Sequence, residues 1–379
     1  MEKVILAFDS FKGSVNAKEI TSALQHTIQT ERNDLEVIPF PIADGGEGTS
    51  ALLAEALGAI TVRCEVHDPL MRPIIASYAI TQDRQTAIME VAAAAGLTLL
   101  SDKELNPMKT STYGVGEMVL DAVRRGCTHI LMGLGGSATN DAGTGILSAL
   151  GVVFHDREGN ELVPCGGTLD KMEDIDISAL NPALKDVSFT LICDVENPLF
   201  GPEGAAYVFA PQKGATPEMV RSLDNGLRHY SELINCRFGM NIGNRTSMGA
   251  AGGIAGGLYP FFRTEIKPGS RTVLEMLGFE EKIKDASLVL TGEGKVDHQT
   301  GMGKALQGVF ALSRKYHVPV VALGGSVETV EELNKRGCTA VFSIQSGPVT
   351  LEDAMNKEYA LNRLCQTAGQ IIRLFFRKS

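Results

Sequence analysis

Turns rich in glycine recur at one kind of joint in this chain. Each follows a short apolar run and precedes a stretch with helical apolar spacing. They lie at 9–14, 43–49, 133–143 and 291–300. Strand, turn, helix, strand in repetition requires parallel strands joined by right-handed crossovers, so the fold class is α/β. Glycine reaches 41 of 379 residues, and many backbone positions must therefore adopt unusual dihedrals or lie close to another group.

The repeat is clearest at the two ends. Lys3–Phe8 reads as a buried strand and Ala17–Arg32 as a helix with Ile20, Ala23, Leu24 and Ile28 on one face. Leu35–Phe40 and Thr49–Leu57 repeat the pair. Near the C-terminus, Ser287–Leu290, Val318–Leu323 and Ala340–Ile344 read as strands, and Met302–Tyr316, Val327–Arg336 and Ala360–Phe376 as helices. The middle differs. Val62–Val66, Ile74–Ile80 and Thr86–Val91 form a hairpin-like series. A helix at Thr110–Arg125, a strand at His129–Met132 and a helix near Ala142–Leu150 follow, with strands at Val152–His155, Phe189–Cys193 and Ala206–Phe209. The expectation is a discontinuous Rossmann-like domain, 1–65 plus 270–379, with a second α/β domain, 66–269, inserted into it. The length suits two such domains.

Composition narrows the function. The net charge of −10 argues against nucleic acid as a partner, which needs a basic face, but allows anionic small substrates held by a few focused cations. Seven scattered cysteines without a CxxC pair point to a reducing, cytoplasmic setting. No signal-peptide layout opens the sequence and no apolar run is long enough for a membrane span. No H-x-x-x-H pair suggests zinc.

The turns carry the chemistry. Asp9-Ser10-Phe11-Lys12-Gly13-Ser14 ends the first strand, where open α/β sheets bind ligands; Lys12 can neutralise a carboxylate or phosphate, and Ser14 or Asn16 can cap the following helix. A capped surface turn with a solvated lysine is the plain alternative. Asp44-Gly45-Gly46-Glu47-Gly48 offers two acids for hydroxyls or Mg²⁺, or is merely a mobile loop capped by Thr49. Gly133–Gly143, with Ser137, Thr139, Asn140 and Asp141, suits phosphate oxygens. Gly133, Gly135 and Ala138 also match the dinucleotide fingerprint G-x-G-x-x-A, with Asp156 ending the next strand, so a nicotinamide-dependent oxidoreductase is the rival reading. Thr291–Thr300 offers Glu293, Lys295 and Asp297; the Gly301–Lys304 stretch after it is not a P-loop. Asp194–Pro198 and Pro211–Gly214 are polar turns that structure alone would explain, and Gly249–Gly257 reads as a helix-packing face or a ligand loop.

Together these segments closely resemble the bacterial type I glycerate kinases. The matches are DSFKGS at 9–14, PIADGGEGT at 41–49, DPL at 68–70, TSTYGVGE at 110–117, GLGGSATNDAGTG at 133–145, CDVENPLFGPEGAA at 193–206, VFAPQKGA at 208–215, GAAGG at 249–253, TGEGKVDHQT at 291–300 and FSI at 342–344. They run nearly end to end, in order. The chain departs from the family pattern at Thr246-Ser247-Met248-Gly249, at Gly303-Lys304-Ala305-Leu306, and at Ala142, where the family has a second glycine.

The resemblance implies two α/β domains with a cleft between them. It implies MgATP as donor and D-glycerate as acceptor, giving 2-phosphoglycerate, with 3-phosphoglycerate as the alternative product. The implied role is to feed glycerate from glyoxylate or sugar-acid breakdown into glycolysis. On this reading Asp9, Ser10, Lys12, Asp44 and Glu47 bind substrate, with Lys12 on its carboxylate. Asp297 is the base or hydroxyl-orienting acid, with Asp194 second. Gly135, Gly136, Ser137, Thr139, Asn140, Asp141 and Lys213 hold nucleotide phosphates, and Glu293 reaches Mg²⁺. The partners are then D-glycerate and ATP, with no nucleic acid and no membrane, and with room for a homodimer. A sugar-acid-binding regulator on a kinase scaffold is the non-enzymatic alternative. Its mark would be loss of the acidic loop residues, yet Asp44, Glu47, Asp194, Glu293 and Asp297 are all present.

Overall fold

The computed structural model describes residues 2–43, 48–296, 304–328 and 330–377. Among them are thirteen strands: β1 (Lys3–Phe8), β2 (Glu36–Pro39), β3 (Ile60–His67), β4 (Pro73–Ile80), β5 (Thr86–Glu90), β6 (His129–Gly133), β7 (Val153–His155), β8 (Asp174–Asp176), β9 (Ser188–Ile192), β10 (Arg263–Lys267), β11 (Leu288–Val296), β12 (Val320–Val327) and β13 (Ala340–Ser343). The chain divides into two compact units, 1–44 with 268–379, and 45–267.

The first unit is a five-stranded, all-parallel sheet in the order β13-β12-β11-β1-β2. The first strand explains its layering. Successive side chains of a strand point to opposite faces. Val4, Leu6 and Phe8 pack with Ile20, Leu24 and Ile28 of the helix Ala17–Glu31 and with Leu364 and Ile372 of the helix Lys357–Phe375. Ile5 and Ala7 pack on the other side with Leu274, Phe279, Val309 and Phe310, from helices within 269–315. A strand buried on both faces reads as one continuous apolar run. The strand order reverses direction between β1 and β11, the crevice where doubly wound sheets take their ligands.

The second unit carries a six-stranded sheet in the order β10-β9-β6-β5-β4-β3. Its first four strands are parallel, and β3 and β4 extend it antiparallel. One large core joins Met89, Ile130, Met132, Phe189 and Leu191 of the sheet to Val115, Met118, Val119 and Ala122 of the helix Tyr113–Arg124.

The architecture is the expected pair of α/β units, with local differences. The first joint falls after residue 44, not 65, because β3 pairs along its whole length with β4 and the helix Thr49–Ala56 packs on β5. Thr291–Val296 is strand and not turn: β11 keeps pairing β12 out to Val296↔Val327. Its glycines serve close packing, since a Cβ on Gly292 would lie 2.1 Å from Leu323 O. Ala205–Phe209 is a short helix and not a strand. Val208 N donates to Gly204 O and Ala210 N to Ala206 O, each at 3.1 Å, the four-residue bonds of a helix. The strand β10 has no counterpart among the expected elements.

Candidate active site

On the first unit, the carboxyl ends of β1 and β11 assemble one set of polar groups. Asp9 N donates to Gly292 O at 3.0 Å, which ties the two strand ends together. The Asp9 carboxylate is buried and accepts from Ser10 N at 2.6 Å and Ser10 Oγ at 3.3 Å. Phe11 and Val15 then exchange backbone hydrogen bonds of 2.8 and 3.0 Å. They close a turn that needs a left-handed residue at Gly13, φ 78°, and carries Lys12 exposed at its tip. Asn16, not Ser14, caps the next helix by accepting from Glu19 N at 2.9 Å. The strand bearing Glu293 lies against this turn: a Cβ on Gly294 would lie 3.3 Å from Phe11 Cα and 3.6 Å from Lys12 N. Asp9, Ser10, Lys12 and Glu293 thus share one sheet edge. Asp44, Glu47 and Asp297 lie outside the described residues.

On the second unit, the turn after β6 splits into an outer and an inner part. Gly135 and Gly136 are exposed, whereas Ser137, Thr139, Asn140 and Asp141 are buried. Lys213 lies behind the inner part, 2% exposed. Its Nζ donates to Ser137 Oγ at 2.9 Å and to Thr139 O at 2.6 Å. Burial pulls the Lys213 pKa down to about 7, against the attraction of Asp141, which acts to raise it. Asp141 has its own cradle. Its Oδ2 accepts from Thr112 N and Thr112 Oγ1, each at 2.8 Å, and from Gly145 N at 3.2 Å, while Oδ1 accepts from Gly143 N at 3.2 Å. Complete burial pushes the carboxyl pKa up, and these donors oppose the shift. Thr112 is therefore a site residue that sequence reasoning passed over, although the TSTYGVGE segment contains it. Its hydroxyl also accepts from Ile146 N at 3.0 Å, joining the turn to the helix Thr144–Ala149.

Several polar atoms here have no partner among the described residues. Thr139 Oγ1, both side-chain polar atoms of Asn140 and the Tyr230 hydroxyl are all buried without a hydrogen bond. Such groups cost about 1–3 kcal/mol each when left unsatisfied, and native proteins pair them with ligand or water.

Gly249–Gly257 is a close-packing segment: its kinked helix, Ala250–Leu258, lies on the helices Thr144–Ala149 and Ala205–Phe209. Ala251, Gly252 and Gly253 turn left-handed, with φ of 52°, 71° and 96°, and press backbone against the turn. A Cβ on Gly252 would fall 2.1 Å from Thr139 O, and one on Gly257 would fall 1.7 Å from Ala142 O. Ala142, left-handed itself at φ 51°, donates its N–H to Gly252 O at 3.0 Å. Asp194 follows β9, the neighbour of β6, so it lies at the same sheet edge. Its loop is laced to the 247–249 segment by Ser247 N to Glu196 O, 3.1 Å, and Gly249 N to Asn197 O, 3.0 Å.

The dinucleotide reading fails on this geometry. Its fingerprint requires a helix to open directly after the glycines, but here the helix begins only at Thr144, and buried chain and Lys213 fill the interval. Asp156 is engaged within its own turn, accepting from Glu158 N and Asn160 N, each at 2.9 Å.

Comparison with known proteins agrees. A model of the glycerate kinase family matches residues 4–376. A glycerate 2-kinase of Escherichia coli K12 is 40% identical over 374 residues, covering 97% of each chain. A glycerate kinase of Bacillus cereus is 40% identical over 353 residues, covering 93% of each. A crystal structure from Salmonella typhimurium LT2, provisionally named glycerate kinase 2, superposes with a TM-score of 0.89 at 38% identity, covering 99% of this chain and 98% of that one.

Proposed function

Because this chain belongs to the glycerate kinase family, we propose that it transfers the γ-phosphoryl group of ATP to the 2-hydroxyl of D-glycerate. The observation that carries the reading is a match over nearly the whole chain to relatives named for this activity, one of them a glycerate 2-kinase. The local geometry suits the chemistry. Phosphoryl transfer asks the protein for positioning and charge stabilisation more than for covalent work.

We assign the acceptor to the edge formed by β1 and β11. Lys12, exposed at the tip of its closed turn, pairs with the glycerate carboxylate. Ser10 and Asp44 hold its hydroxyls, with Asp9 fixing the Ser10 backbone. Asp297 orients the attacking hydroxyl and takes its proton, with Asp194 as the second candidate. We assign the phosphates of the donor to the turn 135–141. Its exposed glycines offer backbone N–H groups, and the Asn140 amide, without a partner among the described residues, offers a donor and an acceptor. In this reading Lys213 supports the turn from behind.

Magnesium fits these residues in donor chemistry. Among the described residues no group of three or more His, Cys, Asp or Glu side chains forms a metal site. An ion carried by a nucleotide keeps its waters and needs only one or two carboxylates. Glu293 and Asp9 supply such hard oxygens at one edge. When bound, the ion would neutralise charge on the transferring group.

We also place the enzyme in the cytoplasm, working on D-glycerate and ATP. All seven cysteines are free, and among the described residues no helix is long and apolar enough to cross a membrane. The test is incubation with MgATP and D-glycerate, with the product read by phosphorus NMR. The 2-phosphoglycerate resonance is expected. The 3-phosphoglycerate resonance would move the transfer to the other hydroxyl. Absence of both, with no ADP formed, would overturn the kinase reading.

A further inference from the structure

One cavity adjoins the exposed glycines of the turn 135–141 and extends away from them. It has a volume of about 600 Å³ and lies wholly within the second unit, between the helix Thr49–Ala56 and the outer face of β4 and β5. Its floor is apolar: Ala51 and Ala54 of the helix face Ala79 and Ile88 of the sheet. Gly133, Gly135 and Gly136 also line it, and Gly135 and Gly136 are the exposed part of the phosphate-binding turn proposed above. At Gly136 a side chain is disfavoured: its φ is 72°, and a Cβ there would lie 3.2 Å from Ala92 Cβ.

Polar side chains are few among the lining residues. Glu90, the last residue of β5, lines the cavity and accepts from Ser50 N at 3.2 Å through Oε1, which caps the helix and fixes the carboxylate. A carboxylate has about four lone-pair sites, so Glu90 retains capacity for donors from a ligand. Thr61, Ser77 and Thr98 supply hydroxyls. An apolar slot within the 300–1,000 Å³ range, with a few convergent polar groups, is the form of a small-molecule site.

We propose that this cavity receives the nucleoside part of the phosphoryl donor. The flat base lies between the helix and the sheet, the Glu90 carboxylate accepts from the ribose hydroxyls, and the phosphates leave past Gly135 and Gly136. A bare phosphate or a carboxylate would gain nothing from the apolar floor and would be repelled by Glu90. A planar, uncharged ring with hydroxyl donors gains from both. The proposal rests on the nucleotide reading of the 135–141 turn.

Two exposed positions allow the cavity to be filled without disturbing the core: Ala51 on the helix and Ser77 on β4. Ala51→Trp and Ser77→Trp should each raise the KM for ATP at least about tenfold, equivalent to about 1.4 kcal/mol. The KM for D-glycerate and the melting temperature should stay near wild type. Displacement of mant-ATP by adenosine, measured without D-glycerate, is a readout independent of turnover. The wild type should bind adenosine and both variants should lose it. Glu90→Gln should weaken adenosine more than 2′,3′-dideoxyadenosine. Wild-type ATP KM and adenosine binding in both tryptophan variants would overturn the proposal while leaving the kinase reading intact. Adenosine binding that the tryptophans abolish, in a wild type that makes no phosphoglycerate, would keep the cavity assignment and overturn the kinase reading.

Discussion

Removing the amine of Lys213 gives an effect whose sign depends on pH. Lys213→Met keeps the length of the side chain and deletes two donations, to Ser137 Oγ and Thr139 O. Leaving those acceptors buried and unpaired costs about 1–3 kcal/mol each. The same change removes an ammonium group held where water does not reach. Burial takes Lys213 from 10.5 to about 7, and at about 1.4 kcal/mol per pH unit the charged form is disfavoured by about 4–6 kcal/mol. The two effects nearly cancel below pH 7. Above it they do not, because the folded wild type sheds its proton near 7 while the unfolded chain holds it to 10.5. The unfolded state binds more protons through that window, so wild-type stability rises with pH by about 1.4 kcal/mol per unit relative to the variant. The neutral amine still donates to both acceptors. Lys213→Met should therefore match the wild type within about 1 kcal/mol at pH 7 and fall behind by about 2–3 kcal/mol at pH 9. Urea unfolding of both proteins at pH 7, 8 and 9, followed by circular dichroism, measures the difference. Parallel profiles would refute a buried, depressed amine. A variant already several kcal/mol weaker at pH 7, with no further loss by pH 9, would show that the ammonium is well compensated in the fold.

Three other substitutions separate roles. Lys12→Ala should raise the KM for D-glycerate about 10–100-fold, the value of a lost charge-assisted contact of about 1.5–3 kcal/mol; an unchanged KM would make Lys12 a solvated tip residue, as its exposure alone allows. Asp297→Asn should lower kcat by about 10²–10⁴-fold at an unchanged melting temperature; if activity survives there and is lost in Asp194→Asn, the proton acceptor is Asp194. Gly257→Ala places a methyl group 1.7 Å from Ala142 O, a backbone atom that cannot yield, so it should destabilise by about 3 kcal/mol or more in urea unfolding; a wild-type midpoint would mean that the 142–143 backbone is free to move.

What could be read from the residues follows from how local each signal is. The strand β1 announces itself because burial on both faces makes Lys3–Phe8 a continuous apolar run, and the helix Ala17–Glu31 because one face alone is apolar. The strand β10, RTEIK, carries three charges and a threonine in five residues. It pairs on the open side of β9, and nothing short-range marks a polar edge strand as strand. Glycine was the ambiguous letter. Gly13 needs positive φ within its own turn, a demand visible locally. Gly252, Gly257 and Gly292 are small because of backbone atoms remote in sequence, at 139, 142 and 323, so motif spacing shows the glycines without showing what they admit. The site residues divide the same way. Ser137, Asn140 and Asp141 stood out as polar letters in a glycine-rich turn, but the sequence cannot tell that the turn presents its glycines outward and buries its hydroxyls. That inversion leaves Lys213 buried behind the exposed glycines and bonded to the turn itself. It also brings in Thr112, whose hydroxyl bridges Asp141 and Ile146 N. A turn that offers backbone N–H groups is only as rigid as what stands behind it, and here a buried lysine, a buried aspartate and a glycine-lined backbone contact provide that support.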